Sequence, residues 1–169
     1  MFKLIEINKD EELLNQVAVL YQQVWAQEDL SIKERVLRHA GYAGYRGFVA
    51  ISSQGEVAGY AYGYSSLPGQ YYHGLLSEAI HPEEYQTWLT DCFEFVELGV
   101  LPAFRNQGLA KELVNRLLDG AGHETAVLTT QLDNNSARRL YETLGWGVIK
   151  QSFYPSENAQ PYVIMGKQL

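Results

Sequence analysis

A chain of 169 residues fits one domain, and its apolar share suffices for one packed core. Thirteen lysines and arginines against 20 acidic residues give a net charge of −7, the reverse of the basic excess expected of a general nucleic-acid binder. No apolar run reaches the roughly 18 residues of a membrane span, and the opening MFKLIEINKDEELL lacks the layout of a secretory signal. The single cysteine, Cys92, excludes a disulfide framework and a cysteine-built zinc site. The expectation is one cytoplasmic domain over residues 1–169, without a membrane or nucleic-acid partner.

In chain order, residues 2–7 (FKLIEI) read as a short strand. Leu13, Leu14, Val17, Leu20, Tyr21, Val24 and Trp25 then make a helical stripe over 11–26. Ser31 and Glu34 match a capping box, which predicts a second helix that ends before Gly41. Residues 47–64 (GFVAISSQGEVAGYAYGY) predict two strands joined by a turn at Gln54-Gly55. Residues 65–81 show no clear period and read as a loop; Pro82 suits the first position of a brief helix through Leu89. A regular succession follows: strand 92–101, helix 108–120, strand 125–132, helix 135–144, and strands 146–154 and 161–168. This is an α/β (α+β) pattern with a mixed sheet and a β-α-β-α run in its second half.

The segment FEFVELGVLPAFRNQGLAKELVNRLLDG, from Phe93 to Gly120, carries the chemistry. A strand ends near Leu101-Pro102, a tight turn follows, and a helix starts beside Gly108. Leu109, Ala110, Leu113, Val114, Leu117 and Leu118 give that helix one apolar face. Its first turn therefore points unpaired N–H groups outward, a ready anion site. Gly108 permits close approach of backbone to a ligand. Between Leu98 and Lys111 the chain holds Arg105 and Lys111 and no acidic residue. A Walker A loop and a G-x-G-x-x-G dinucleotide fingerprint are both missing here; Arg105-x-x-Gly108-x-Ala110 remains.

That segment resembles the pyrophosphate-binding stretch of the GNAT superfamily of N-acyltransferases, (Arg/Gln)-x-x-Gly-x-(Gly/Ala), with Ala110 as the permitted variant of the second glycine. Downstream, Asn134 to Trp146 (NNSARRLYETLGW) is similar to the family's Asn-x-x-Ala-x-x-Leu-Tyr followed by a Gly-aromatic pair. The two motifs stand in family order with one predicted strand between them, and the resemblance runs close to full length.

The resemblance implies a mixed, mostly antiparallel sheet flanked by helices, with strands splayed at a coenzyme cleft and Gly99 at the irregular strand. It implies acetyl-CoA as acyl donor; from the cysteine count and histidine spacing, no metal is expected. The pantetheine arm would pair with backbone at Leu98, Gly99 and Val100. The diphosphate would meet Arg105, Asn106, Gln107, Gly108, Leu109, Ala110 and Lys111. Asn134 and Ala137 match further coenzyme-contacting positions, and Asn134 is equally a helix N-cap. Arg138 and Arg139 stand either near the coenzyme's phosphates or exposed on their helix.

Acetylating an amine requires removal of an ammonium proton, and only about one lysine-like amine in a few thousand is neutral at pH 7. Glu94 and Glu97 are the candidate bases. Their spacing puts them on opposite faces of a regular strand, which leaves the choice open. Tyr141 occupies the family position of the donor to the departing thiolate, and an ordinary phenol keeps its proton at neutral pH. Tyr60, Tyr62, Tyr64, Tyr71, Tyr72 and Tyr154 suggest either an aromatic acceptor pocket or a packed aromatic face. His39, His73, His81 and His123 have no metal-binding spacing. The expected function is acetyl transfer to a primary amine of a small molecule. Protein or peptide acetylation and a non-catalytic coenzyme A-binding regulator are the alternatives, and the resemblance also allows a homodimer.

Overall fold

The computed structural model describes residues 1–25 and 31–169. The elements in chain order are β1 (Lys3–Glu6), α1 (Glu11–Trp25), α2 (Ile32–Ala40), β2 (Arg46–Ile51), β3 (Val57–Ser65), α3 (Tyr71–Ala79), α4 (Pro82–Trp88), β4 (Cys92–Val100), α5 (Leu109–Leu118), β5 (Thr125–Gln131), α6 (Asn135–Thr143), β6 (Gly147–Phe153) and β7 (Tyr162–Gln168). The described part of α1 reaches Trp25, and the expected last residue, Ala26, lies outside the described residues. The strands form one mixed sheet in the order β1-β2-β3-β4-β5-β7-β6. β1–β2, β2–β3, β5–β7 and β6–β7 are antiparallel, and β4–β5 is parallel. The mixed, mostly antiparallel α/β fold expected from the sequence is present.

Two compact units divide the chain: residues 1–64 with 96–121, and residues 65–95 with 122–169. In the first, α1 and α2 cover the sheet with Leu14, Val17, Leu20, Ile32 and Val36, which bury against Ile7, Val49 and Tyr60. The β2–β3 hairpin turns where expected: Gly55 has φ 83°, and its N–H donates to the Ser52 carbonyl at 3.0 Å. A left-handed residue at that corner is what a tight hairpin needs. In the second unit Leu76, Leu89, Cys92, Val127, Phe153 and Ile164 form the core.

Two sequence expectations are corrected. Residues 65–81 are not all loop, because Tyr71–Ala79 is helical. Tyr72, Leu75, Leu76 and Ala79 all pack on the second core, a spacing of i, i+3, i+4, i+7 that Gly74 disguises by lowering helix propensity. Ser31 does precede α2, but it has helical dihedrals (φ −84°, ψ −11°) and makes no side-chain cap hydrogen bond. A capping oxygen needs an extended backbone at its own residue to reach the next turn. A comparable contact occurs instead at α4, where the Glu84 carboxylate accepts from the His81 N–H at 3.1 Å and Pro82 takes the first helical position.

Candidate active site

The first unit holds residues 98–111. β4 leads into a 3-10 turn at Pro102–Phe104, and α5 starts one residue after Gly108. Asn106 (φ 61°) and Gly108 (φ 81°) are both left-handed, which bends the backbone into a shallow cradle. Asparagine tolerates that region, whereas most L-residues lose roughly 1–2 kcal/mol there. The anchor is Leu109, buried with Leu113, Val114 and Leu117 on the inner face of α5. Each such side chain contributes about 1.5–3 kcal/mol by leaving water, so packing outweighs the local strain.

The cradle is open. Arg105, Asn106, Gln107 and Gly108 are exposed, and a Cβ at Gly108 would meet nothing within 4 Å. Among the described residues, no backbone N–H from Asn106 to Lys111 donates a hydrogen bond within the protein. The first intrahelical donor is Glu112, to the Gly108 carbonyl at 3.1 Å. Several N–H dipoles and a helix N-terminus thus face solvent together, the arrangement that attracts a phosphate oxygen. Arg105 is positioned by its Nε, which donates to the Val100 carbonyl at 3.0 Å.

Gly99 makes room for a ring: a Cβ there would stand 2.5 Å from Tyr60 Cε1. The tyrosine ring lies on the glycine, and the Gly99 carbonyl in turn crowds Gly59, whose Cβ would fall 2.7 Å away.

Glu97 belongs to the same unit and meets α2. Arg35 Nη2 donates to its Oε1 at 3.1 Å, with the side chains 32% and 17% exposed, respectively. Burial pushes the Glu97 carboxyl up to about 7, and the guanidinium offsets only part of that rise. Arg35 also lies 5.0 Å from the Tyr21 ring centroid. Nearby, His39 Nδ1 is 3.0 Å from the Tyr62 hydroxyl. Burial first, then Arg35 and Arg38, lower the imidazole to about 4, so it is neutral at pH 7. Tyr60, Tyr62 and Tyr64 are all buried and pack as an aromatic face; Tyr71 and Tyr154 are exposed.

The second unit holds the downstream motif. Asn134 caps α6, its Oδ1 accepting from the Ala137 N–H at 3.3 Å, so its structural role is present. Tyr141 is 6% exposed, with its ring centroid 6.0 Å from those of Phe95 and Trp146. Glu94 is buried on β4, in register with Val127. Arg138 is tied down by Nη1, which donates to the Leu132 carbonyl at 2.9 Å, while Arg139 is exposed.

Sequence reasoning missed three cations that organise these parts. Arg35 lay unmarked among the charges of α2. Arg46 reaches the C-terminal end of α5, its Nη2 donating to the Asp119 carbonyl at 2.6 Å and its Nε to the Leu117 carbonyl at 3.1 Å. Lys167 does the same for α6, donating to the Leu144 carbonyl at 2.6 Å. Arg46 and Lys167 come from distant strands, and Arg35 finds its partner far along the chain, so no local pattern announces any of them.

The two motifs and the fold define an acyltransferase architecture. The chain belongs to the acetyltransferase (GNAT) family, whose sequence model matches residues 11–146. Over 125 residues it is 31% identical to a GCN5-like protein acetyltransferase of Mycobacterium tuberculosis, covering 69% of this chain and 61% of that protein. An uncharacterized protein of Mycobacterium leprae is 32% identical over 74 residues, 43% of this chain and 21% of its own length. The chain thus spans less than two thirds of the length of the curated relatives it matches.

Among solved structures, the ribosomal-protein-S18-alanine N-acetyltransferase from Escherichia coli is similar at a TM-score of 0.71 and 19% identity, over 99% of this chain and 94% of that one. A GCN5-related N-acetyltransferase from Kribbella flavida is similar at 0.69 and 17%, over 98% of each. Likenesses at this level of identity establish the fold. No helix of the described residues is long and apolar enough to cross a membrane.

Proposed function

We propose that the protein transfers an acetyl group from acetyl-CoA to a primary amine of a small molecule, by direct attack in a ternary complex. The carrying observation is the open row of unpaired backbone N–H groups from Asn106 to Lys111 at the start of α5. They would grip the diphosphate, with Arg105 beside them. Leu98, Gly99 and Val100 would pair with the pantetheine arm, and Asn134 and Ala137 would contact the coenzyme as well.

Glu97 is the better base of the two glutamates. Its position near neutrality lets it hold a proton taken from an ammonium and release it again to solvent. The amine nitrogen, freed of one proton, forms its bond to the thioester carbonyl carbon; the carbon–sulfur bond then breaks. Tyr141 donates a hydrogen bond to the leaving thiolate, and the second amine proton balances that thiolate as coenzyme A.

The likeness to a GCN5-like protein acetyltransferase of Mycobacterium tuberculosis supports a second reading, acetylation of a protein. Free-thiol release measured against a panel of amines, amino acids and peptides tests both. Coenzyme binding without thiol release for any acceptor in the panel would favour a regulator that binds without turnover.

A further inference from the structure

Resting on that reading, we propose that the acceptor is an amine that carries its own carboxylate a short distance away, a free amino acid or a close derivative. Arg35 is the residue that binds the carboxylate, and Glu97 receives the ammonium.

Arg35 of α2 and Glu97 of β4 form a half-buried ion pair. Arg35 Nη2 and Glu97 Oε1 are 3.1 Å apart, and both side chains keep some contact with solvent. A guanidinium carries five N–H donors in a planar fork. The guanidinium carbon of Arg35 lies 5.0 Å from the Tyr21 ring centroid, and Tyr21 shares a side-chain hydrogen bond with it, yet among the described residues its buried Nε has no partner. Glu97 is likewise half used, since among the described residues its only hydrogen bond is the one from Arg35. An incoming zwitterion presents the reverse image of this pair. The ammonium nitrogen and carboxylate oxygen of an α-amino acid lie roughly 3 Å apart by ordinary bond geometry, matching the spacing of the two protein charges.

Charge then separates the acceptor classes. A polyamine or a lysine side chain offers only positive charge to a site where Arg35 already cancels Glu97, so attraction is small. A zwitterion satisfies both members. Its carboxylate also answers the charge of Arg35, the influence that lowers the proton affinity of Glu97. An arginine suits this role because its fork takes both carboxylate oxygens at once, which a lysine does not.

The test is steady-state thiol release at saturating acetyl-CoA with matched acceptors: free amino acids, their carboxamides, the corresponding decarboxylated amines, and short peptides with the same N-terminal residue. The expected kcat/KM for the free acid exceeds that for its carboxamide by about 10–100-fold, the worth of a charged hydrogen-bonded contact. Arg35→Gln should collapse that ratio toward one, mainly by raising KM for the acid, and Arg35→Lys should restore part of it. Carboxamides or peptides turned over as well as the acid would overturn the proposal, as would a ratio unchanged in Arg35→Gln. The wild-type ratio decides the matter even if the variants fold poorly. Failure of the underlying activity looks different: no thiol release from any acceptor and no stabilisation by acetyl-CoA.

Discussion

Glu97 has a carboxyl whose folded and unfolded ionisations differ, and this has two measurable consequences. A base must be unprotonated to act, so kcat/KM should climb with pH through about 7. Glu97→Gln should abolish that climb and lower the rate about 10²–10⁴-fold. The linked effect on stability has the opposite direction. Between its unfolded value of 4.5 and about 7 the folded chain keeps a proton that the unfolded chain has released. Stability therefore falls as pH rises across that window. His39 works against it: from 6.5 down to about 4 the unfolded chain binds a proton that the fold refuses, so stability falls as pH drops. The two slopes oppose each other between about 4.5 and 6.5. Urea titrations at a series of pH values should show Glu97→Gln more acid-sensitive than the parent, and His39→Gln more sensitive to the rise toward neutrality.

At the scale of elements, both motif helices are held at their C-terminal ends by a cation reached from a strand. Arg46 of β2 serves α5, and Lys167 of β7 serves α6. Those carbonyls have no intrahelical donor and sit at the negative end of the helix dipole. Arg46→Ala should cost about 1.5–3 kcal/mol in urea denaturation, the range for hydrogen bonds to a charged group. Gly99→Ala should cost about 1–3 kcal/mol by overpacking against Tyr60.

The same scale explains what the sequence disclosed. α5 was legible because Leu109, Leu113, Val114 and Leu117 keep one helical period and are all buried. The hairpin was legible because Gly55 marks its corner. α3 was hidden because Gly74 and a short span weaken its signal; it is held by packing in the core of Leu89, Cys92 and Phe153 and by contacts of His73 with the Ser66 and Tyr85 hydroxyls, all made at a distance from its own sequence pattern. The capping box at Ser31 failed because the motif names residue types, while capping depends on dihedrals. The turn and helix start at residues 105–110 could be read because their parts are consecutive. The Arg35–Glu97 pair could not: 62 residues separate its members, and no spacing rule connects them.

For the molecule as a whole, ligand binding to the folded state alone must raise stability by mass action. Acetyl-CoA at 100 times its dissociation constant should add about 2.7 kcal/mol, which in a domain of this size raises Tm by roughly 5–11 °C. The source of that gain can be divided by ligand fragments. If the diphosphate is gripped by the backbone from Asn106 to Lys111, pantetheine alone should give a much smaller shift than coenzyme A at equal concentration. Gly108→Ala sharpens the point. Its Cβ meets nothing, so any loss comes from forcing a left-handed residue (φ 81°) into the cradle, about 1 kcal/mol of stability. Relaxing that residue would also turn the N–H row away from the phosphates. Scanning calorimetry should therefore find the unliganded Tm slightly lowered and the coenzyme-induced rise mostly gone. A full rise in Gly108→Ala, or an equal rise with pantetheine, would place the main contact elsewhere on the chain.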